Sequence, residues 1–176
     1  MASLDESELG EYVGGELIVT PRLDEVQRAA DVLGTELGGE AMRAGSYRFR
    51  LWPQLHLGGD VVVPAIAAWR GARAPADLDA PALNVAPHWV AEVLSPENAR
   101  AVRAAKMPAY ARATIEWAWL LDPHAHTVEV YRRMGDRWLV EQTIAGEAAV
   151  HAAPFADIGV DLGALWPQAG GESPQP

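Results

Sequence analysis

Residues 88–113 read HWVAEVLSPENARAVRAAKMPAYARA, and this stretch decides the fold. Trp89 to Leu94 is a short run rich in β-branched and aromatic residues, the composition of a strand buried on both faces. Ser95-Pro96 follows directly, an N-cap residue and a proline suited to the first helical turn. The helix expected from there runs to about Ala113. A break or kink is expected just before Pro108, which lacks the N–H that a helix interior needs. Ile115 to Leu121 (IEWAWLL) reads as the next strand. Strand, helix and strand in this order predict a right-handed parallel crossover.

Two residues in this unit are costly to bury alone. Glu92 lies inside the strand and Lys106 lies on the helix, and each needs a partner or a metal if it faces the core. From Ser95 to Lys106 the helix rises about 16 Å at ~1.5 Å per residue. The same distance back along a strand covers roughly five residues at about 3.3 Å each. Lys106 therefore falls above Trp89 to Glu92. Val102, Lys106 and Tyr110 share one helix face by fourfold spacing, and Val102 marks that face as inward. The competing reading is a structural salt bridge, or an outward Lys106 whose stem lies along the surface.

Upstream, Glu11 to Thr20 (EYVGGELIVT) reads as a bent strand pair around Gly14-Gly15, stopped by Pro21. Leu23 to Leu37 has helical apolar spacing, with Gly38-Gly39 as the expected end. Tyr47 to Leu57 alternates like a half-buried strand, and Pro53 suggests an edge or bulge. Gly58-Gly59 turns the chain into an antiparallel strand over Asp60 to Trp69. Residues 70–87 are rich in Ala, Pro and Asp and read as a long loop of the kind that borders a site. Downstream, His126 to Arg133 and Arg137 to Ile144 form a hairpin across Met134-Gly135-Asp136. Residues 158–166 add a short terminal strand or helix. The fold class is thus α/β (α+β): a sheet flanked by helices. Residues 1–10 are expected to be a flexible terminus, 11–166 one domain, and 167–176 a disordered tail.

Composition narrows the chemistry. The chain has 176 residues, no cysteine and a net charge of −10. No thiolate metal site or cysteine nucleophile is available. The N-terminus is not a signal peptide and no apolar run spans a membrane, so a cytoplasmic protein is the default. The charge is uneven: residues 1–40 hold ten acids against two arginines, whereas residues 41–112 hold nine bases against five acids. Two readings of Arg43, Arg48, Arg50, Arg70, Arg73, Arg100 and Arg103 stay open: an anion-facing surface, or solvated faces. Other motifs point to structure. The histidines show no metal-ligand spacing, Ser95 is accounted for as a cap, and the Gly-Gly pairs make no phosphate loop. The tryptophans read as core or interface, with Trp69 the one that could border a groove.

Several segments, in order, resemble a bacterial family of restriction endonuclease-like proteins within the PD-(D/E)XK nuclease superfamily. They are GEL-IVTPR (15–22), QLHLGGDVVVPAIAAWR (54–70), WVAEVLSP (89–96), KMPAYA (106–111) and EWAWLLDP (116–123). The resemblance implies a mixed central sheet flanked by helices and a Mg²⁺-dependent endonuclease acting on nucleic acid phosphodiesters, DNA more than RNA, from a homodimer. Mn²⁺ is the alternative ion. It implies a site of an Asp after a proline, a Glu on the next strand and a Lys on the following helix. Glu92 and Lys106 match the last two, and Glu16 in the G-E-L stretch is the implied further metal ligand.

The Pro-Asp position is Pro64-Ala65 here, and alanine has no oxygen to give a metal. Asp60 is five residues away, an odd offset that puts it on the opposite face of a strand. Gln27 and Gln54 stand where the resemblance leads one to expect a histidine and an acid. These extra changes favour a natural, degenerate site over one engineered substitution. Two functions follow: an endonuclease completed by another oxygen such as Glu16, or a catalytically silent nuclease-fold domain with a binding or interaction role.

Overall fold

A computed structural model describes residues 5–43, 46–146 and 149–166. The predicted disordered tail lies outside the described residues. The centre is a mixed six-stranded sheet. Its members are β3 (Tyr47–Leu51), β6 (Ile66–Arg70), β7 (Trp89–Val93), β8 (Trp117–Asp122), β9 (Thr127–Met134) and β10 (Arg137–Ala145), in the spatial order β10-β9-β8-β7-β6-β3. Strands β7 and β8 are parallel, as the strand–helix–strand pattern predicts, with Glu92 opposite Leu120. Every other pairing in this sheet is antiparallel.

Helix α1 (Asp24–Arg43) covers one face and helix α2 (Ala99–Arg112) the other. The period-2 alternation of a strand divides β7 between the two layers. Trp89, Ala91 and Val93 pack into the α1 layer, while Val90 and Leu94 pack into the α2 layer. Glu92 shares the parity of Val90 and Leu94, so it projects towards α2. In the α1 layer Trp89 meets Trp119 and Phe155 edge to face, with ring centroids 5.4 and 4.9 Å apart.

Helix α1 runs six residues past its expected end, through Gly38 and Gly39, to Arg43. A glycine inside a helix costs only about 1 kcal/mol, and the buried stripe Val26, Ala29, Ala30, Leu33 and Leu37 anchors the turns before it. Helix α2 also differs from expectation. It begins at Ala99 because Ser95 and Asn98 close a turn first: the Ser95 N–H donates to Asn98 Oδ1 at 2.8 Å, and the Asn98 amide donates to the Val93 carbonyl at 3.0 Å. It is built from Ala99–Ala101, a π turn over Val102–Lys106, and Met107–Arg112. The kink expected before Pro108 is this π turn. Met107 donates its N–H to the Val102 carbonyl, five residues back, and the wider turn makes room for a proline ring that a regular helix would clash with.

A second sheet, in the order β2-β1-β5-β4, comprises β1 (Glu8–Val13), β2 (Glu16–Pro21), β4 (Leu55–Leu57) and β5 (Asp60–Val62). The ordered hairpin begins at Glu8, inside the stretch expected to be flexible. Gly14 and Gly15 take positive φ in its turn.

The two sheets meet where expectation and structure differ most. Tyr47–Leu57 and Asp60–Trp69 were each expected to be one strand. Each instead breaks into two, and the breaks face one another. Leu51 pairs with Ile66 in the six-stranded sheet and Leu55 pairs with Val62 in the four-stranded one. Between them lie Trp52-Pro53-Gln54 and Val63-Pro64-Ala65. Neither proline can donate to a ladder. Trp52 has φ 50° and donates its N–H to the Ala65 carbonyl at 3.0 Å. This corner carries Ala65 and exposes the main chain of Val63 to the next layer.

Candidate functional site

Three charged residues, each at most 4% exposed, meet behind that corner: Glu11, Glu92 and Lys106. The Lys106 ammonium lies 2.8 Å from Glu11 Oε1 and 2.7 Å from Glu92 Oε1, and donates to the Val63 carbonyl at 3.1 Å. All three of its donors are thereby used. Glu11 Oε1 also accepts the Val63 N–H at 2.6 Å, and Glu92 Oε1 also accepts the Tyr110 hydroxyl. Ala65, 1% exposed, lines the same cleft with Trp52 and Val63. The cleft has about 530 Å³ of empty space, part of it open to solvent.

Each element has a local reason to deliver its residue. β7 brings Glu92 by strand parity. The π turn ends on Lys106 and keeps Val102, Lys106 and Tyr110 all buried. β1 brings Glu11 because Val13, two residues on, is also buried while Tyr12 between them is exposed.

The electrostatics follow from two acids and one base out of water. Burial raises the pKa of Glu92, and Glu11 adds to this, while Lys106 acts against both. Burial works against the charge on Lys106, but Glu92 and Glu11 outweigh it and the pKa stands above the usual lysine value. Tyr110 is pushed well up, by burial and then by the two carboxylates. At neutral pH Lys106 is a cation and Tyr110 a neutral donor. Replacing Tyr110 with Phe removes one of the two donors to Glu92 Oε1. We expect about 1.5–3 kcal/mol lower stability by urea unfolding, the worth of a buried bond to a charged group.

The structure therefore brings together Glu92, Lys106 and Ala65. It does not bring Glu16 to them. Glu16 is exposed at the end of β2, paired with Val13 beside the hairpin turn. Glu11 takes the inner place. The two residues sit in similar settings, Gly10-Glu11 and Gly15-Glu16, and the G-E-L resemblance falls on the one that lies outside the cluster. The signal that could have found Glu11 was its parity with Val13 in an alternating strand. Asp60 is elsewhere, on β5 in the four-stranded sheet, accepting from the Gly14 N–H at 2.7 Å and from Arg112 at 2.9 Å. Gln27 borders the cleft, whereas Gln54 is exposed and bonded to His56.

A Mg²⁺ ion takes six oxygen ligands in near-octahedral geometry. The donors at hand are two carboxylates and one carbonyl, and Lys106 bonds to all three. Ala65 adds no oxygen. Among the described residues no three His, Cys, Asp or Glu side chains converge as a metal site. As the side chains stand, both carboxylates are taken up by the Lys106 ammonium, and a divalent cation, which is commonly held by one or two carboxylates with water completing its shell, would have to displace it.

No curated protein matches the chain. Among solved structures it is similar to a putative nuclease of the DUF820 group from Anabaena variabilis, with TM-score 0.68, 22% identity and 89% of each chain covered. At that identity the likeness establishes a shared, nuclease-type fold. No described helix is long and apolar enough to cross a membrane. The model of the Uma2 family, described as "Putative restriction endonuclease", matches residues 4–163, and the chain belongs to that family.

Proposed function

We propose that this chain is a nuclease-fold domain that engages nucleic acid, DNA rather than RNA, without hydrolysing it. The observation that carries this reading is the Lys106 ammonium between Glu11 and Glu92, beside an alanine. Family membership supplies the substrate class. In an active site of this kind the carboxylates would hold Mg²⁺ or Mn²⁺, and the lysine would stand free to support a water or a leaving oxygen. Here the carboxylates hold the lysine. An ion would have to break a buried, fully satisfied cluster and would gain no ligand from Ala65.

Calorimetric titration with Mn²⁺ and with Mg²⁺ tests this. The chain should give no saturable heat. A one-site isotherm would show that another group completes the site, and would restore the endonuclease reading. A homodimer belongs to the same proposal on family grounds alone. The seven tryptophans do not argue for it, because each described indole is buried or half-buried in its own chain. A monomeric mass by light scattering would remove that part.

A further inference from the structure

At the other end of β7, about 13 Å from Glu92 at strand rise, lies a second cleft with about 730 Å³ of empty space. Arg70, Arg73, His88, Thr114 and Glu116 line it. We propose that this cleft binds the phosphate group of a small phosphorylated molecule, held by Arg70 and Arg73.

The first support is a pair of guanidinium groups with no carboxylate partner. Arg50, Arg103, Arg112 and Arg132 are each paired with an acid, to Asp79, Glu129, Asp60 and Glu141 respectively. Arg70 and Arg73 have no such partner among the described residues, which is also true of Arg22, Arg28, Arg48, Arg100, Arg133 and Arg137, but these two line one cleft together. Arg70 is nonetheless held in place. Its Nε donates to the Tyr47 hydroxyl at 3.0 Å and its guanidinium lies 5.7 Å from the Tyr47 ring centre. That grip uses Nε and leaves both terminal amino groups for a planar, two-pronged contact with an oxyanion. Arg73 closes the 3-10 turn Gly71–Arg73 and is exposed.

The second support is His88, which is 9% exposed. Its Nδ1 lies 3.4 Å from Glu116 Oε1, and its Nε2 is buried with no partner. Burial lowers its pKa, Glu116 partly offsets that, and both arginines lower it further. The field of both guanidinium groups thus converges on one imidazole. An oxyanion seated on the arginines would relieve that field, so binding and protonation of His88 should favour each other. The groups facing His88 are Arg70, Arg73, Glu116 and Tyr47, the last with its ring centre 5.8 Å away.

The cleft suits one compact anion better than a polyanion. It offers two guanidinium groups with Glu116 beside them, whereas a nucleic acid strand needs a continuous run of cations. The proposal does not rest on the reading of the Glu92 site.

Inorganic phosphate titrated into the full ¹⁵N-labelled chain tests it, with NMR shifts of the Arg70, Arg73 and His88 signals as the readout. Saturable shifts are expected, together with a His88 titration moved to higher pH when phosphate is bound. Arg73→Gln, an exposed change with no protein partner to lose, should weaken binding about tenfold. Arg70→Gln should do at least as much, and Arg137→Gln, on the far edge strand, should do nothing. Absence of saturation, or equal binding by Arg73→Gln and Arg70→Gln, overturns the site. A single-stranded oligothymidylate that binds these arginines more tightly than phosphate overturns the small-molecule assignment.

Discussion

Lys106→Met is expected to destabilise the protein by ~3–5 kcal/mol at pH 8, the cost of leaving buried charge without its counter-ion. Methionine fills nearly the same volume, so the loss is electrostatic rather than a cavity. Glu11 and Glu92 would then face each other with no cation, and the Val63 carbonyl would lose its donor. The pH dependence identifies the cause. Glu92 already has a folded-state pKa raised above its ordinary 4.5. A raised carboxylate favours the fold at low pH, and that contribution is lost as pH rises from the unfolded value through the folded one. Removing Lys106 removes the opposing influence and raises the Glu92 pKa further. The defect should therefore shrink at pH 5, where the proton neutralises the charge that lysine no longer does. In the unchanged chain Lys106 contributes stability below its ordinary 10.5, and that contribution fades as pH climbs through its raised folded value. Urea unfolding of both proteins at pH 5 and pH 8 measures this. A loss under about 1 kcal/mol that is equal at both values would mean that the cluster is not charged as described.

Ala65→Asp should have the second large effect, of opposite sign with and without metal. Ala65 is buried beside two carboxylates. A third acid there adds negative charge beside two carboxylates, in a packed corner. In EDTA we expect a loss of about 1–3 kcal/mol from crowding and like-charge repulsion. With a divalent ion the same oxygen becomes a ligand. Even outer-shell partners of a metal are worth roughly 10–100-fold in affinity, so Mn²⁺ binding should rise by on the order of a hundredfold or more. At 100 times its dissociation constant the ion returns ~2.7 kcal/mol of stability, which at ~2–4 °C per kcal/mol in a chain of this size is readily seen in a thermal melt. A variant that melts at the same temperature in EDTA and in Mn²⁺ would show that position 65 does not face a usable ligand set.

The layers of the fold and the heart of the site were legible because they rest on periodicities. Fourfold spacing put Val102, Lys106 and Tyr110 on one face. The rise of a helix against that of a strand brought Lys106 to Glu92. What was not legible rests on contacts between segments far apart in the chain. Glu11 is 52 residues from Val63, and locally only its parity with Val13 sets it apart from Glu16. Pro53 reads singly as an edge or bulge, and Pro64 lies inside an expected continuous strand. Only their pairing across the hairpin makes a corner between two sheets, and that corner turns the Val63 main chain towards Glu11 and Lys106. The π turn was equally hidden. Pro108 announces a disturbance, but whether a helix kinks or widens depends on what its inner face must reach, and here it must reach two acids.

The most direct measurement is nicking of supercoiled plasmid with Mn²⁺ or Mg²⁺ by three proteins: the unchanged chain, Ala65→Asp, and Ala65→Asp with Lys106→Ala. Cleavage by Ala65→Asp alone is the predicted result, because that variant has both the missing oxygen and the lysine. Cleavage by the unchanged chain, or none by Ala65→Asp, would contradict a nuclease scaffold that lacks one ligand.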